Sequence, residues 1–455
     1  MLFMKLSASA PTIVTIDNNE ERDMRQVFQR IGAVALMASG LLMAVACAHA
    51  GDERRGDDDR RGDGGPYHAR RGDINVQVGP RPFYLVEGMD EGPLKRKLEQ
   101  CEAGPFYQSK FSISHRGAPL EFPEHSKESY SAAHRMGAGI IECDVSFTKD
   151  GELVCRHSEC DLHTTTDIVA TPLNQSCTVP WVAGGPAPKC CTSDITLPQF
   201  KTLRAKMDAS NPSATTAAGY LGGTASWRTD LYTGRPAGNV VTLKEHIQMV
   251  KQWGLSQTPE LKSGDPARIR AVFGSQEAYA QKLIDTYREA GVDPRKVYAQ
   301  SFNIDDVLYW LKNDYAFGKQ ALYLDPIEPA SNPPIPRMSV ARLAELRNQG
   351  VTTISPPMWA LLALDGQNNI VPSQYALDIK AAGFKIVAWS FERVNLTKGA
   401  AGVGSYYQFD PEGKAIKKDS DMYKALDVLA RQVGISGMFS DWPGTVTYYA
   451  NCMGL

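Results

Sequence analysis

The chain has 455 residues, 43% of them hydrophobic, with 49 basic against 51 acidic side chains and a formal net charge of −2. That length and apolar content suit one large domain or two small ones with ample material for a core. The balanced charge provides no global field to draw nucleic acid or an anionic membrane to the protein, so no nucleic-acid partner is expected.

The start of the chain reads as an export leader, a signal-peptide region over residues 1–50. Arg25 and Arg30 precede an apolar run over 31–45, too short to favour a transmembrane helix, and Ala48-His49-Ala50 is an A-x-A cleavage signal. Residues 1–23 are polar and precede Met24, an alternative start. Lipid attachment at Cys47 competes with this reading, but Ala44-Val45-Ala46 is a poor preceding sequence for it. The expectation is an exported, periplasmic or secreted protein with no transmembrane helix in its mature form. Residues 51–75 repeat Arg, Gly and Asp and cannot bury a core, so they read as a disordered charged linker. Their Arg-Gly-Asp triplets at Arg55, Arg61 and Arg71 are a by-product of that repeat rather than an adhesion motif. Nine cysteines fall to eight without Cys47. Cys160, Cys177, Cys190 and Cys191 crowd one loop-rich stretch and read as a disulfide-stapled insertion. Adjacent Cys190 and Cys191 are expected to take different partners. Cys101 lies before the first strand and Cys452 after the last, so these two are expected to staple the chain ends.

The chemistry concentrates between Phe111 and His157. A short strand ends in His115-Arg116-Gly117, and a helix follows over 125–136. A second strand over 139–147 carries Glu142 and Asp144, and a third short strand over 152–156 delivers His157. Alternation along a strand points Glu142 and Asp144 one way and Cys143 the other, where it should face the helices as a small core residue. Two carboxylates on one face of an apolar strand are costly to bury without a cation or basic partner.

The ordered set His115-Arg116-Gly117-Ala118, Pro123-Glu124-His125-Ser126, Gly137-Ala138, Ile141-Glu142-x-Asp144-Val145, Thr148-Lys149-Asp150-Gly151 and Leu153-Val154-x-x-His157 resembles the glycerophosphodiester phosphodiesterase family, in its exported bacterial form. Ser158 departs from the pattern, since many members carry aspartate after the second histidine. The resemblance implies a barrel with a metal site and a histidine acid/base pair, and it extends more weakly to the C-terminus.

Further strands are expected over 255–261, 297–301, 320–324, 351–355, 384–391 and 435–440. Helices are expected over 197–207, 243–253, 277–290, 304–312, 340–348, 375–382 and 421–433. The stretch 211–238 reads as loop. With the first two strands this makes eight strand–helix units. Such alternation argues for a parallel sheet, and eight units favour a closed (β/α)8 TIM barrel with loop insertions over residues 76–455. No glycine-rich dinucleotide or P-loop motif opens any unit, which weakens an open-sheet reading.

A barrel demands its chemistry at the C-terminal ends of its strands. His115, Glu142, Asp144 and His157 meet that demand, and so do Glu260 and Lys262, which share a face at the end of the third barrel strand. The resemblance implies Glu142, Asp144 and Glu260 as ligands of one divalent cation, Ca2+ or alternatively Mg2+, by all-oxygen ligation. It implies His115 and His157 as acid and base, with Arg116 and Lys262 at the phosphate. Trp389 is a substrate-binding candidate, and Gln300, Ser301, Asp325, Asp441 and Trp442 are further mouth residues. His134 and His163 lack motif support and read as structural. The implied reaction turns a small glycerophosphodiester into sn-glycerol 3-phosphate and an alcohol such as choline or ethanolamine. Two alternatives remain: a phospholipase D-like enzyme acting on lysophospholipids or sphingolipids, and a non-catalytic envelope binding protein.

Overall fold

The computed structural model describes residues 76–228, 232, 238–328 and 335–455. The expected leader and charged linker, residues 1–75, lie outside those residues. Within them, β1 (Ser109–Ser114), β2 (Ala138–Phe147), β4 (Ser256–Leu261), β5 (Gln300–Ser301), β6 (Leu322–Leu324), β7 (Thr353–Ser355), β10 (Lys385–Phe391) and β11 (Gly437–Ser440) run parallel. Their order is β1-β11-β10-β7-β6-β5-β4-β2, and β1 also pairs with β2. The sheet therefore closes into the expected barrel. The short strand β3 (Leu153–Cys155) folds back antiparallel on β2, and β8 (Leu362–Leu364) with β9 (Ile370–Pro372) makes a separate hairpin.

Strand alternation divides the apolar residues between two compartments. Ile140 joins Ile113, Leu322, Val387 and Phe439 in the barrel interior, while Ile141, Cys143 and Val145 belong to the core under the helices. Glu142 and Asp144 share the parity of Ile140 and so point into the barrel mouth. The helices start where the sequence provides caps. Ser126 Oγ accepts from the Ser129 N–H ahead of the helix Lys127–Arg135. Thr242 and Glu245 cap reciprocally ahead of Leu243–Gln252.

The helix expected over 197–207 ends after one turn, Leu197–Phe200. Beyond it the Ala205 N–H donates to the Gly238 carbonyl and the Lys206 N–H to the Thr165 carbonyl. Neighbouring loops take the backbone groups that a helix would have used, which overrides the local apolar spacing. The 211–238 stretch carries one short helical turn, Ala217–Tyr220.

Cys101–Cys452 staples the two ends, and the insertion closes on itself through Cys160–Cys191 and Cys177–Cys190, as expected. Cys143 corrects the sequence reading. It faces away from the site, yet it is bridged to Cys155 rather than being a plain core residue. The antiparallel return of β3 sets Cys155 opposite Val145, two positions from Cys143, and alternation from one strand did not reveal that return.

Candidate active site

His115, Arg116 and Gly117 form a tight turn at the end of β1. Arg116 and Gly117 both have left-handed backbones, at φ 57° and 98°. A Cβ on Gly117 would meet Ser129 Oγ at 2.2 Å, so only glycine allows this approach. Ser114 Oγ and Ser129 Oγ accept from the Gly117 and Ala118 N–H groups. The turn aims the Arg116 N–H at Glu142 Oε2, 2.8 Å away.

Three buried carboxylates meet in the mouth. Glu142, Asp144 and Glu260 each offer an oxygen within 4.8 Å of the others. The register explains the meeting, since Asp144 lies opposite Glu260, which lies opposite Gln300. Gln300 Nε2 donates to Glu142 Oε1 at 2.8 Å, His125 Nε2 to Asp144 Oδ2 at 2.8 Å, and Lys262 Nζ to Glu260 Oε1 at 2.5 Å. Burial pushes Glu142 well above the usual carboxylate range, helped by Asp144 and Glu260. Burial also dominates at Glu260, where it and Asp144 outweigh Lys262 and take the pKa to about 8. Burial alone would raise Asp144 too, but Lys262 and His125 together hold it well below its ordinary value. Asp144 Oδ1 and Gln300 Oε1 are buried acceptors with no hydrogen-bond partner among the described residues. An all-oxygen, negatively charged cluster with orphaned acceptors fits a hard divalent cation.

The two histidines stand in different settings. His115 is 8% exposed. Its Nδ1 lies 2.5 Å from Asp441 Oδ1 and 3.0 Å from Ser390 Oγ. The carboxylate can only accept, so Nδ1 carries the proton and Nε2 presents a lone pair, 3.3 Å from Arg116 Nε. Burial lowers the His115 pKa against the pull of Asp441. Burial also takes most part in lowering His157, followed by Arg116 and Lys262. His157 is half-buried and makes no hydrogen bond among the described residues.

Charge pairs tie the mouth together. Arg393 Nη1 donates to Asp441 Oδ2 at 2.6 Å, and its Nη2 to Glu124 Oε2 at 3.2 Å. Arg116 reaches the same Glu124 oxygen at 3.1 Å. His115, Arg116, Glu142, Asp144, Glu260 and Lys262 thus meet at this mouth, with His157 near enough to feel the charges of Arg116, Lys262 and Asp144. Trp389 hydrogen-bonds the Ser355 carbonyl through Nε1 and meets Phe302 edge-to-face, which places it on an aromatic wall. Asp325 is a separate case, bound to the Tyr375 hydroxyl at 2.5 Å. His134 is structural, stacked on Trp253 with Nδ1 against Gln108. Glu124 and His125 were noticed in the sequence but given no place in the site. Arg393 and Ser390 were missed, and their only sequence signal is position at the end of a barrel strand.

A closed (β/α)8 barrel whose strand ends carry buried carboxylates, histidines and arginines has the layout of a barrel enzyme. The glycerophosphoryl diester phosphodiesterase family profile matches residues 115–445, and the chain belongs to that family. It is accordingly a phosphodiester hydrolase. An extracellular protein of Arthroderma benhamiae is 45% identical over 253 residues, which are 55% of this chain and 100% of that protein. The glycerophosphodiester phosphodiesterase GDPD6 of Arabidopsis thaliana is 20% identical over 384 residues, 81% of this chain and 91% of that one. A solved structure from Silicibacter pomeroyi, assigned to the glycerophosphoryl diester phosphodiesterases, shares the fold with a TM-score of 0.50 at 17% identity, covering 79% of this chain and 97% of that one. The long sequence matches are to a fungal and a plant protein, so they do not single out a bacterial type.

Proposed function

We propose that the protein hydrolyses small glycerophosphodiesters to sn-glycerol 3-phosphate and an alcohol, with one divalent cation held by Glu142, Asp144 and Glu260. The observation that carries this reading is the buried carboxylate triad, with oxygens within 4.8 Å of one another and Asp144 Oδ1 unpartnered. Ca2+ suits the oxygen ligands and an exported protein, and Mg2+ is the alternative. When bound, the cation supplies Lewis-acid neutralisation of charge on the phosphoryl oxygens. Arg116 and Lys262 bind those oxygens. His115, with Nδ1 held by Asp441, takes on Nε2 the proton of the attacking water as the water oxygen bonds to phosphorus. The resulting imidazolium is stabilised by the Asp441 carboxylate. His157 delivers a proton to the alcohol oxygen as its bond to phosphorus breaks. Trp389 lines the leaving-group side.

Export to the periplasm or the medium is part of the same proposal. Its support is the expected leader over 1–50 and four disulfides, which are characteristic of oxidising compartments. Among the described residues no helix is long and apolar enough to cross a membrane.

The test is release of glycerol 3-phosphate from glycerophosphocholine, with and without chelator. Turnover that vanishes with chelator and returns with Ca2+ or Mg2+ supports the reading. Full turnover in metal-stripped protein overturns it. Parallel assays on lysophosphatidylcholine and sphingomyelin separate the phospholipase D-like alternative.

A further inference from the structure

His125 is fully buried and has a left-handed backbone, at φ 55°. Residues with a Cβ rarely adopt that conformation. Its surroundings hold it there. The His125 N–H donates to the Arg116 carbonyl at 3.0 Å. The carbonyls of Glu124 and His125 accept from the buried Arg156 guanidinium at 3.1 and 3.2 Å. Arg156 in turn donates its backbone N–H to the Asp144 carbonyl at 2.8 Å. The turn bearing His125 and the strand bearing Asp144 are therefore locked to one arginine.

The ring completes the lock. Nε2 lies 2.8 Å from Asp144 Oδ2, and Nδ1 lies 2.7 Å from the Tyr130 hydroxyl. A carboxylate only accepts, so Nε2 carries the proton and Nδ1 the lone pair. The Tyr130 hydroxyl must then donate to Nδ1. The chain runs one way, from Tyr130 through His125 to Asp144 Oδ2. With Oδ2 engaged, Asp144 Oδ1 is left buried and unpartnered among the described residues, and the Asp144 carboxylate offers an oxygen within 4.8 Å of Glu142 and Glu260.

We propose that His125, oriented by Tyr130, is the positioning residue that fixes Asp144 as a cation ligand, engaging Oδ2 so that Oδ1 is the atom presented to the metal. This rests on the metal reading given above. The three carboxylates are restrained differently: Glu142 by a backbone N–H and an amide, Glu260 by an ammonium, and Asp144 by an imidazole at hydrogen-bond distance, with Arg116 Nε farther from the same oxygen at 3.5 Å. Hydrogen bonds of this outer kind typically govern metal affinity by about 10–100-fold.

The experiment is calorimetric titration of chelator-stripped protein with Ca2+, comparing wild type with H125F, H125Q and Y130F. Circular dichroism and melting in chelator check that each variant folds. H125F should bind Ca2+ about 10–100-fold more weakly. H125Q keeps a donor toward Asp144 and should stay within about threefold of wild type, and Y130F should fall between them. Unchanged affinity in H125F, or H125Q as weak as H125F, overturns the proposal. Should H125F fail to fold, Y130F decides it, since unchanged affinity there also overturns it. A wild type that binds no cation would instead sink the metal reading of the triad itself.

Discussion

The barrel mouth and the insertion that follows His157 are built on opposite principles. The mouth concentrates buried charge and holds it by contacts between residues far apart in sequence. His115 reaches Asp441, Gln300 reaches Glu142, and Arg393 reaches Glu124. Three carboxylates gathered in one buried spot cost stability unless something positive joins them. The insertion does the reverse. Its small core contains Leu162, Ile168, Ile195, Phe200 and Leu203, and two of its own disulfides close it. Among its polar anchors to the barrel are Glu159, which accepts from the Asp265 N–H at 2.6 Å and pairs with Arg268, and Thr192, whose hydroxyl donates to the Phe147 carbonyl at 2.7 Å. The mouth is arranged for chemistry, and the insertion for stability through its own core and cross-links. Substitutions in the two regions should therefore fail in different assays.

The largest effect is expected in the mouth. His115→Ala and His157→Ala should each lower kcat by about 10²–10⁴-fold, with little change in melting temperature. A variant that keeps near wild-type turnover would make that histidine structural. In the insertion, replacing Cys177 and Cys190 by alanine should cost about 3 kcal/mol of unfolding free energy in the chain-entropy picture, with kcat at low temperature unchanged. Denaturant titration reads the first quantity and steady-state turnover the second. A collapse of kcat without loss of stability would erase the contrast between the regions.

A smaller effect sharpens the picture inside the mouth. Asp441→Asn removes the carboxylate that fixes the His115 tautomer but keeps its shape. It should lower kcat by about tenfold or more while leaving KM nearly unchanged, because an orienting carboxylate acts on the proton-transfer step. A rise in KM at constant kcat would assign Asp441 to substrate binding instead.

The smallest effect belongs to the outer shell of the barrel. Burial lowers the His134 pKa to about 4, with Arg135 adding to the shift. A group whose folded pKa lies below its unfolded value favours folding when neutral. Its contribution is complete above about pH 6.5 and is lost as the pH falls toward 4. The melting temperature of the wild type should fall over that window, and His134→Gln should flatten the slope. An unchanged slope would mean that other groups carry the acid sensitivity. His246, buried and pushed down to about 3, contributes in the same direction and is untouched by that variant.

The sequence alone determined the barrel and which strand-end side chains share a face, because both rest on local periodicity; the roles of those residues came from the family resemblance. Eight apolar strand segments alternating with helices specify a parallel sheet, and a period of two puts Glu142 and Asp144 on one face. Glu260 and Lys262 follow by the same rule on the next barrel strand. The staple between Cys101 and Cys452 was legible because a closed barrel must bring its ends together. The tertiary structure alone decided which groups restrain these residues. The pairing of Cys143 with Cys155 depends on β3 turning back on β2. The early end of the helix at Phe200 depends on loops at Thr165 and Gly238. The places of His125, Arg393 and Ser390 depend on contacts spanning 19 residues to Asp144, 48 to Asp441 and 275 to His115. Periodicity fixes the direction of a side chain relative to its own strand or helix. The partner it meets is set by how distant elements pack, and no local pattern encodes that distance.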